Sequence, residues 1–323
     1  MTILLTGATG FLGRYLVDEL VAAGHEVRVL VRHAAQRDLP WRDLVTVVDG
    51  DVQDLLSVEQ ALEGAEAVIH AAGLVSFRRR DKAALLASHV QGTANIVNLC
   101  LEMGISRLVH VSTIGALGRP EDKALITEAT PWQNRRHLSG YAIAKHKAEL
   151  EVQRGVAEGL SAVCVNPGII LGAGDWTQGT PQLFRLVDQG LSFYPAGSSG
   201  YVGAADVARA CHLLLEAPVN PGSRFILVGE NLTQREFLTR VAHALHRRPP
   251  ALPLPAPLAL AAGWLAEAWA DLTGSDAQMS VASMRSASDP VRFDGTAICR
   301  LGFQYTPLDT LIADIAHAYT TRT

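Results

Sequence analysis

Short, near-continuously apolar runs alternate with segments of helical period through the first half of the chain. The runs are "ILLTG", "EVRVLV", "LVTVVDGD", "AEAVIHAAG", "SRLVHVST" and "SAVCVNPG", and the intervening helical segments cover residues 11–23, 54–63, 81–102 and 139–158. A strand buried on both faces has no polar side to alternate with, so this pattern predicts a doubly wound α/β fold: a parallel sheet with helices on both faces. After Pro167 the rhythm loosens into a region rich in glycine, aromatics and proline. It recovers with a helix near 204–216 and the strand "RFILVGE", and continues from about residue 230 as a mostly helical, irregular tail. The division this suggests is a nucleotide-binding domain of residues 1–166 and 203–229, with a smaller, mostly helical C-terminal substrate-binding cap of residues 167–202 and 230–323.

The length of 323 residues and a hydrophobic content of 48% allow a large core. Lys plus Arg number 28 against 32 for Asp plus Glu, a formal net charge of −4, so no global positive field exists to hold nucleic acid or an anionic membrane. Cys100, Cys164, Cys211 and Cys299 are widely spaced and read as buried, reduced thiols. An apolar run starting beside Met1 leaves no room for a cleavable leader, and the expected location is cytoplasmic. Residues 249–270, "PPALPLPAPLALAAGWLAEAWA", look membrane-like, but their prolines and Glu267 interrupt the apolar run, and no transmembrane segment is expected. They read as a proline-rich linker running into an amphipathic helix, with contact to a membrane surface as the competing reading. His243 and His246 have no nearby acid or thiol, and no metal site is expected.

"TGATGFLG" sets Gly7, Gly10 and Gly13 between the first strand and the first helix, with Thr9, Phe11 and Leu12 completing the loop. Gly7 permits a tight turn, Gly10 lets the backbone approach a pyrophosphate, and Gly13 lets helix and strand pack closely. A diphosphate would lie on the helix N-terminus, where unpaired N–H groups and the dipole favour an anion. The expected fold is therefore Rossmann-type. An NAD-preferring site carries an acid about 20 residues on, and Val31, Arg32 and His33 stand there instead. Arg32 can pair with a 2′-phosphate and stack on adenine, with Arg37 placed to assist. At about 1.5–3 kcal/mol for a hydrogen bond to a charged group, this favours NADP(H) by about tenfold or more, with NAD(H) as the alternative cofactor. A surface arginine that merely follows a strand is the competing reading of Arg32. Asp51 and Val52 are placed to meet the adenine edge, and Ala71, Ala72 and Gly73 give a small-residue path under the cofactor.

In order and approximate spacing, TGxxGxxG, "DV" after the third strand, "HAAG", "VSTIGALG", YxxxK and "NPGIILGAGDW" resemble the extended short-chain dehydrogenase/reductases, the NAD-dependent epimerase/dehydratase family. The chain is most similar to the branch holding dihydroflavonol-reductase-like and 3β-hydroxysteroid-dehydrogenase-like enzymes, and the similarity covers essentially its whole length. The resemblance implies that Tyr141 is the general acid/base and that Lys145 tunes it and binds the nicotinamide ribose. It also implies that Thr113 hydrogen-bonds the reacting oxygen, with Ser112, Asn166, Pro167 and Gly168 beside the cofactor. A homodimer through the helices at 81–102 and 139–158 follows from the same resemblance.

Alone, Tyr141 and Lys145 would be ordinary helix residues; four apart, they share a face. A general acid for carbonyl reduction must release its proton near neutrality, whereas free tyrosine has a pKa of about 10. A shift of three units needs roughly 4 kcal/mol, which an ammonium about 4 Å away supplies at an effective dielectric near 20. The expectation is thus a tyrosine pulled down by Lys145 where the cofactor and cap exclude solvent. Two departures from the family pattern matter. Dehydratases carry two carboxylates directly after the threonine, where Ile114 and Gly115 stand here, so sugar-nucleotide dehydration is not expected. His89 stands where related sequences usually have Asn, and reads as a structural histidine.

The expected substrate pocket comprises Val75, Thr113, Ile169, Trp176, Phe193 and Tyr201, which favours a hydrophobic ketone or aldehyde, interconverted with its alcohol. Arg78, Arg79 and Arg80 read as a solvated charge run, with an anchor for an anionic substrate group as the alternative. The function expected is an NADP(H)-dependent carbonyl reductase or alcohol dehydrogenase. A nucleotide-sugar epimerase with tightly bound NAD and a non-catalytic cofactor-sensing protein are the alternatives.

Overall fold

The computed structural model describes residues 1–76, 81–120, 125–133, 138–273 and 280–322. In chain order its elements begin β1 (Thr2–Thr6), α1 (Phe11–Ala22), β2 (Glu26–Val31), β3 (Thr46–Asp49), α2 (Leu55–Leu62) and β4 (Ala67–His70). Next come α3 (Lys82–Leu86), α4 (Gly92–Glu102), β5 (Arg107–Val111), α5 (Gly140–Ala157), β6 (Ala162–Pro167), β7 (Ile169–Leu171) and α6 (Pro181–Asp188). β8 (Phe193–Pro195), β9 (Ser198–Gly203), α7 (Ala204–Glu216), β10 (Arg224–Leu227), β11 (Glu230–Thr233) and α8 (Gln234–Ala244) follow. The chain ends with β12 (Leu252–Leu254), α9 (Ala256–Thr273), α10 (Val281–Ser288) and α11 (Leu308–Thr320).

Seven parallel strands form the main sheet in the order β10-β6-β5-β4-β1-β2-β3. This is the Rossmann-like arrangement expected. The order reverses between β1 and β4, and the crevice for a dinucleotide opens beyond the carboxyl ends of these strands. The continuous apolar runs follow from the two cores they must fill. Ile3, Leu5, Val29, Ile69, Val109 and Val163 face one side, packing with α1 and α7. Their neighbours Leu4, Leu30, Val68, Leu108 and Ala162 face the other, packing with α2, α4 and α5.

The expected single helix at 81–102 is divided: α3 and α4 are joined by a π-helical stretch, Ala87–Gln91, which keeps the chain helical while holding His89 in the interior. A third core gathers Leu171, Phe184, Tyr201, Phe237 and Ile312 from β7, α6, β9, α8 and α11. The loose region after Pro167 also holds strands that hydrophobic periodicity does not reveal: β11-β9-β7 make one small sheet and β12-β8 another. Strands of three to six residues bounded by glycine and proline are too short to establish a period. All four cysteines are free, but Cys299 is exposed, against expectation, because the short turn Ile298–Leu301 points Ile298 into the core instead.

Candidate active site

The chain leaves β1 through Gly7, whose φ of +81° favours glycine; a Cβ there would stand 2.6 Å from the Ala71 carbonyl carbon. The Gly10 N–H donates to the Gly7 carbonyl at 3.0 Å, and Gly10 is the extended residue preceding α1. No side chain caps that helix. A Cβ on Gly13 would overlap the Gly7 carbonyl oxygen, so only glycine lets α1 pack this close. Thr9 and Gly10 are exposed, and Phe11 and Leu12 half-buried. The result is a backbone cradle at a helix N-terminus that no side chain fills, and it fits a diphosphate. The loop is also held from above: the Tyr15 hydroxyl donates to the Ala173 carbonyl at 2.8 Å, and Phe11 meets Tyr15 edge-on at 5.9 Å.

Beneath the cradle runs a buried polar line. Ala72 N–H donates to Thr6 Oγ1 at 3.2 Å, Thr6 bonds His70 Nδ1 at 2.7 Å, and His70 Nε2 bonds Thr93 at 3.0 Å. Burial, reinforced by the charge of Lys145, pushes His70 down to about 3, so it is neutral at working pH. Ala71 and Ala72 are half-buried above this line, and Gly73 is exposed. A Cβ on Gly73 would overlap the His89 ring. His89 Nε2–H donates to the Leu74 carbonyl at 2.8 Å, while its ring lies 5.6 Å from that of Tyr141 at 74°. His89 therefore ties α3 and α4 to the loop after β4, beside the tyrosine.

At the far end of the crevice Arg32 directly follows β2, largely exposed, with Nη1 3.7 Å from Asp51 Oδ2. Arg37 Nε donates to the Arg32 carbonyl at 2.9 Å. Val52 turns its side chain into the core and its carbonyl accepts from Asn95 Nδ2 at 2.9 Å, so little more than its backbone remains for a ligand.

Ser139 caps α5, its hydroxyl accepting from Ala142 N–H at 3.1 Å, and the first turns of that helix carry Tyr141 and Lys145 inward. Lys145 is buried and donates from Nζ to the Val111 carbonyl at 2.7 Å. Burial lowers it to about 8, with Glu149 acting in the opposite direction. The same burial raises Tyr141 to about 12. The expectation of a tyrosine pulled down by its lysine is thus reversed in the chain alone. The ammonium is itself desolvated and turned to a strand carbonyl, and burial of the phenol sets the direction of the shift.

Thr113 sits where β5 gives way to a short turn, its Oγ1 accepting from Gly115 N–H at 3.2 Å. Ser112 is buried beside it, its N–H donating to Val165 at 2.8 Å. Asn166 Nδ2 donates both to the Thr113 carbonyl at 3.0 Å and to Glu149 Oε1 at 2.6 Å. Glu149 is fully buried, with Oε2 3.2 Å from Arg224 Nε. Burial raises its carboxyl, Arg224 chiefly opposing. The sequence reading missed Glu149, Arg224, His70 and His110. The signal for Glu149 was a third polar residue four after Lys145, on the same helical face.

Tyr141, Thr113, Gly168 and Ile169 open on a cavity of about 470 Å³, floored also by Ile114 and Ala142. Its other wall is α10, which the sequence reading did not single out, with Ala282, Ser283, Arg285 and Ala287. Arg119, also lining it, lies 3.7 Å from Asp289. Of the residues expected in the pocket, Thr113 and Ile169 line this cavity. Val75, Trp176, Phe193 and Tyr201 do not. Tyr201 stacks on Phe237 at 4.4 Å and bonds Gln234 Oε1 at 3.2 Å, while Trp176 meets Tyr319 edge-on at 5.1 Å, so both aromatics fill the third core. Val75 and Phe193 project into solvent. Pro167 is buried at the end of β6. Phe77 and Arg78 to Arg80 lie outside the described residues.

Residues 3–229 match the NAD dependent epimerase/dehydratase family. A Synechocystis protein named for dihydroflavonol 4-reductase is 27% identical over 97% of this chain and 93% of its own. A 4-hydroxy-2-methyl-3-oxo-4-farnesyl-3,4-dihydroquinoline-1-oxide ketoreductase of Stigmatella aurantiaca is 31% identical over 74% of this chain and 72% of its own. Among solved structures, the crystal structure of gox2253 superposes with a TM-score of 0.83 over 99% of this chain and 98% of that one, at 26% identity. The chain belongs to the NAD-dependent epimerase/dehydratase family of extended short-chain dehydrogenase/reductases. It is an NAD(P)-dependent enzyme of oxidoreductase type that acts on a small molecule.

Proposed function

We propose that the protein is an NADP(H)-dependent reductase that converts a ketone or aldehyde on a hydrophobic small molecule to the alcohol, and the reverse. The observation that carries this is the convergence of Tyr141 and Thr113 on one mainly apolar cavity with Lys145 buried behind them. The glycine cradle would hold the diphosphate, Arg32 the 2′-phosphate, and Lys145 the nicotinamide ribose, while residues 167–202 and 230–323 would cover the substrate. When bound, the nicotinamide supplies the hydride. Thr113 orients the carbonyl oxygen, and Tyr141 gives it a proton. A phenol held at about 12 is protonated at neutral pH, the form needed for reduction; oxidation needs the tyrosinate and is therefore expected to accelerate as pH rises. Glu149 and Asn166 hold Thr113 and Lys145 in position. The protein is expected to act as a cytoplasmic homodimer, with α4 and α5 at the interface.

A thermal-shift titration of nucleotide-stripped protein with NADPH and NADH tests the cofactor assignment, because a ligand that binds the folded state raises its stability by mass action. NADPH should stabilise more, and Arg32→Ala should cost about tenfold in NADPH affinity while leaving NADH unchanged. Equal responses to the two nucleotides would refute the role of Arg32.

A further inference from the structure

One region of the surface has a composition the cavity does not explain. No charged side chain occurs between Pro249 and Ala266. The exposed positions of this stretch include Ala251, Leu252, Pro253, Pro255, Pro257 and Leu258, followed on α9 by Ala261, Trp264 and Leu265, and all are apolar. Leu258, Trp264 and Leu265 are exposed by 59%, 63% and 61%. The expected amphipathic helix is therefore inverted in one respect: its outward face is apolar. The inward face is accounted for. Ala259 is fully buried, Gly263 is so close to α10 that a Cβ would stand 2.9 Å from the Ser280 carbonyl, and Glu267 accepts the Val281 N–H at 2.9 Å. The apolar surface continues onto the small sheet, where half-exposed Leu252 pairs in register with half-exposed Phe193.

We propose that this face docks on the surface of an anionic lipid bilayer. Three observations favour a bilayer over a protein partner. A protein interface of useful size carries a polar rim and a hydrogen bond for roughly every 100–200 Å², whereas no side chain exposed between 251 and 265 can donate or accept except the Trp264 indole. An indole among aliphatic side chains suits the headgroup boundary, where its ring is apolar and its N–H wet. The charge at this edge is also of the right sign: Arg247 and Arg248 immediately precede the stretch, Arg247 paired with Asp188 at 2.9 Å and Arg248 exposed with no ion pair among the described residues. No helix of the described residues is long and apolar enough to cross a membrane, and the proposed mode has α9 lying along the bilayer surface. Because α9 packs on α10, and α10 lines the cavity, the docked face is the outer side of the same helix pair. The docking itself does not depend on the reductase reading.

Co-sedimentation of the full-length protein with vesicles of phosphatidylcholine, alone or mixed with phosphatidylglycerol, tests this. The protein should sediment with the mixed vesicles and less with phosphatidylcholine alone. Leu258→Glu and Leu265→Glu should each weaken partitioning by about tenfold or more, and Arg248→Ala by a smaller factor confined to the anionic vesicles. As all three side chains are exposed, their melting temperatures should stay near wild type. Brominated lipid should quench a component of tryptophan fluorescence that disappears in Trp264→Phe. Failure to bind either vesicle, or binding that Leu258→Glu and Leu265→Glu leave intact, would overturn the proposal. So would a self-association in analytical ultracentrifugation that these substitutions dissolve without any vesicle binding, which would assign the face to a second copy.

Discussion

The two walls of the cavity are built by opposite means. The floor, from β5, β6 and α5, is fixed by buried hydrogen bonds, Lys145 to Val111 and Asn166 to Thr113 and Glu149, and by the ion pair of Glu149 with Arg224. The roof, α10, contains no buried residue; it is attached mainly by packing on α9 and by the Gly197 N–H, which donates to the Ala287 carbonyl at 3.1 Å. A buried polar network tolerates one arrangement because any unpaired member is costly. A wall of small side chains on a helix can change without disturbing the fold. On the proposed function, chemistry resides on the first and selectivity on the second.

The largest effect should come from the floor. Tyr141→Phe should lower turnover by about 10²–10⁴ while leaving nucleotide affinity, measured by fluorescence titration, near wild type. Next is the support beneath it. Arg224→Met leaves the Glu149 carboxylate buried without its principal counter-charge, which should cost about 3 kcal/mol in denaturant unfolding. The sign with pH follows from the raised pKa of Glu149. The folded state holds this proton more tightly than the unfolded chain, so its contribution to stability is lost as pH rises through the folded-state value. Without Arg224 the pKa rises further, and the loss of stability should be larger near pH 8 than near pH 5.

The roof should respond differently. Ala287→Phe narrows the cavity and should raise KM by about tenfold or more for a bulky substrate, with melting temperature and nucleotide affinity unchanged. A comparable loss of stability there would abolish the distinction between the walls. The smallest effect expected is that of Ser139→Ala, which removes the N-cap of α5 and should cost about 0.5–2 kcal/mol. Because that turn carries Tyr141, kcat should fall slightly before KM moves.

The same contrast explains what could be seen in the sequence. The floor was legible because each part obeys a local rule: β-strands with two buried faces, glycines where a Cβ has no room, a tyrosine and lysine one helical turn apart. Arg32 and Asn166 stood at positions fixed by strand ends. Glu149 was hidden in a helix whose polar residues look solvated until the fold buries them. The aromatics Trp176, Phe193 and Tyr201 were misassigned to the pocket because a ring that fills a core and a ring that lines a cavity leave the same trace in a sequence. The roof gave no trace. "SVASMRSAS" has neither periodicity nor motif, and its place over Tyr141 follows only from the packing of α9 and α10. The pull of Lys145 on Tyr141 was read from spacing for a site closed by cofactor and cap; in the chain alone burial, which spacing does not show, raises the phenol.

The central claim is that Tyr141 completes a net transfer between nucleotide and substrate carbonyl. Following deuterium from NADPH doubly deuterated at the nicotinamide C4 into the alcohol product, for a panel of hydrophobic ketones and aldehydes, tests it most directly. The prediction is one deuterium per product at the carbinol carbon, with one NADPH consumed for each, and labelled product forming about 10²–10⁴ more slowly with Tyr141→Phe. Undiminished incorporation with Tyr141→Phe, or turnover of a nucleotide sugar with no net consumption of nucleotide, would contradict it.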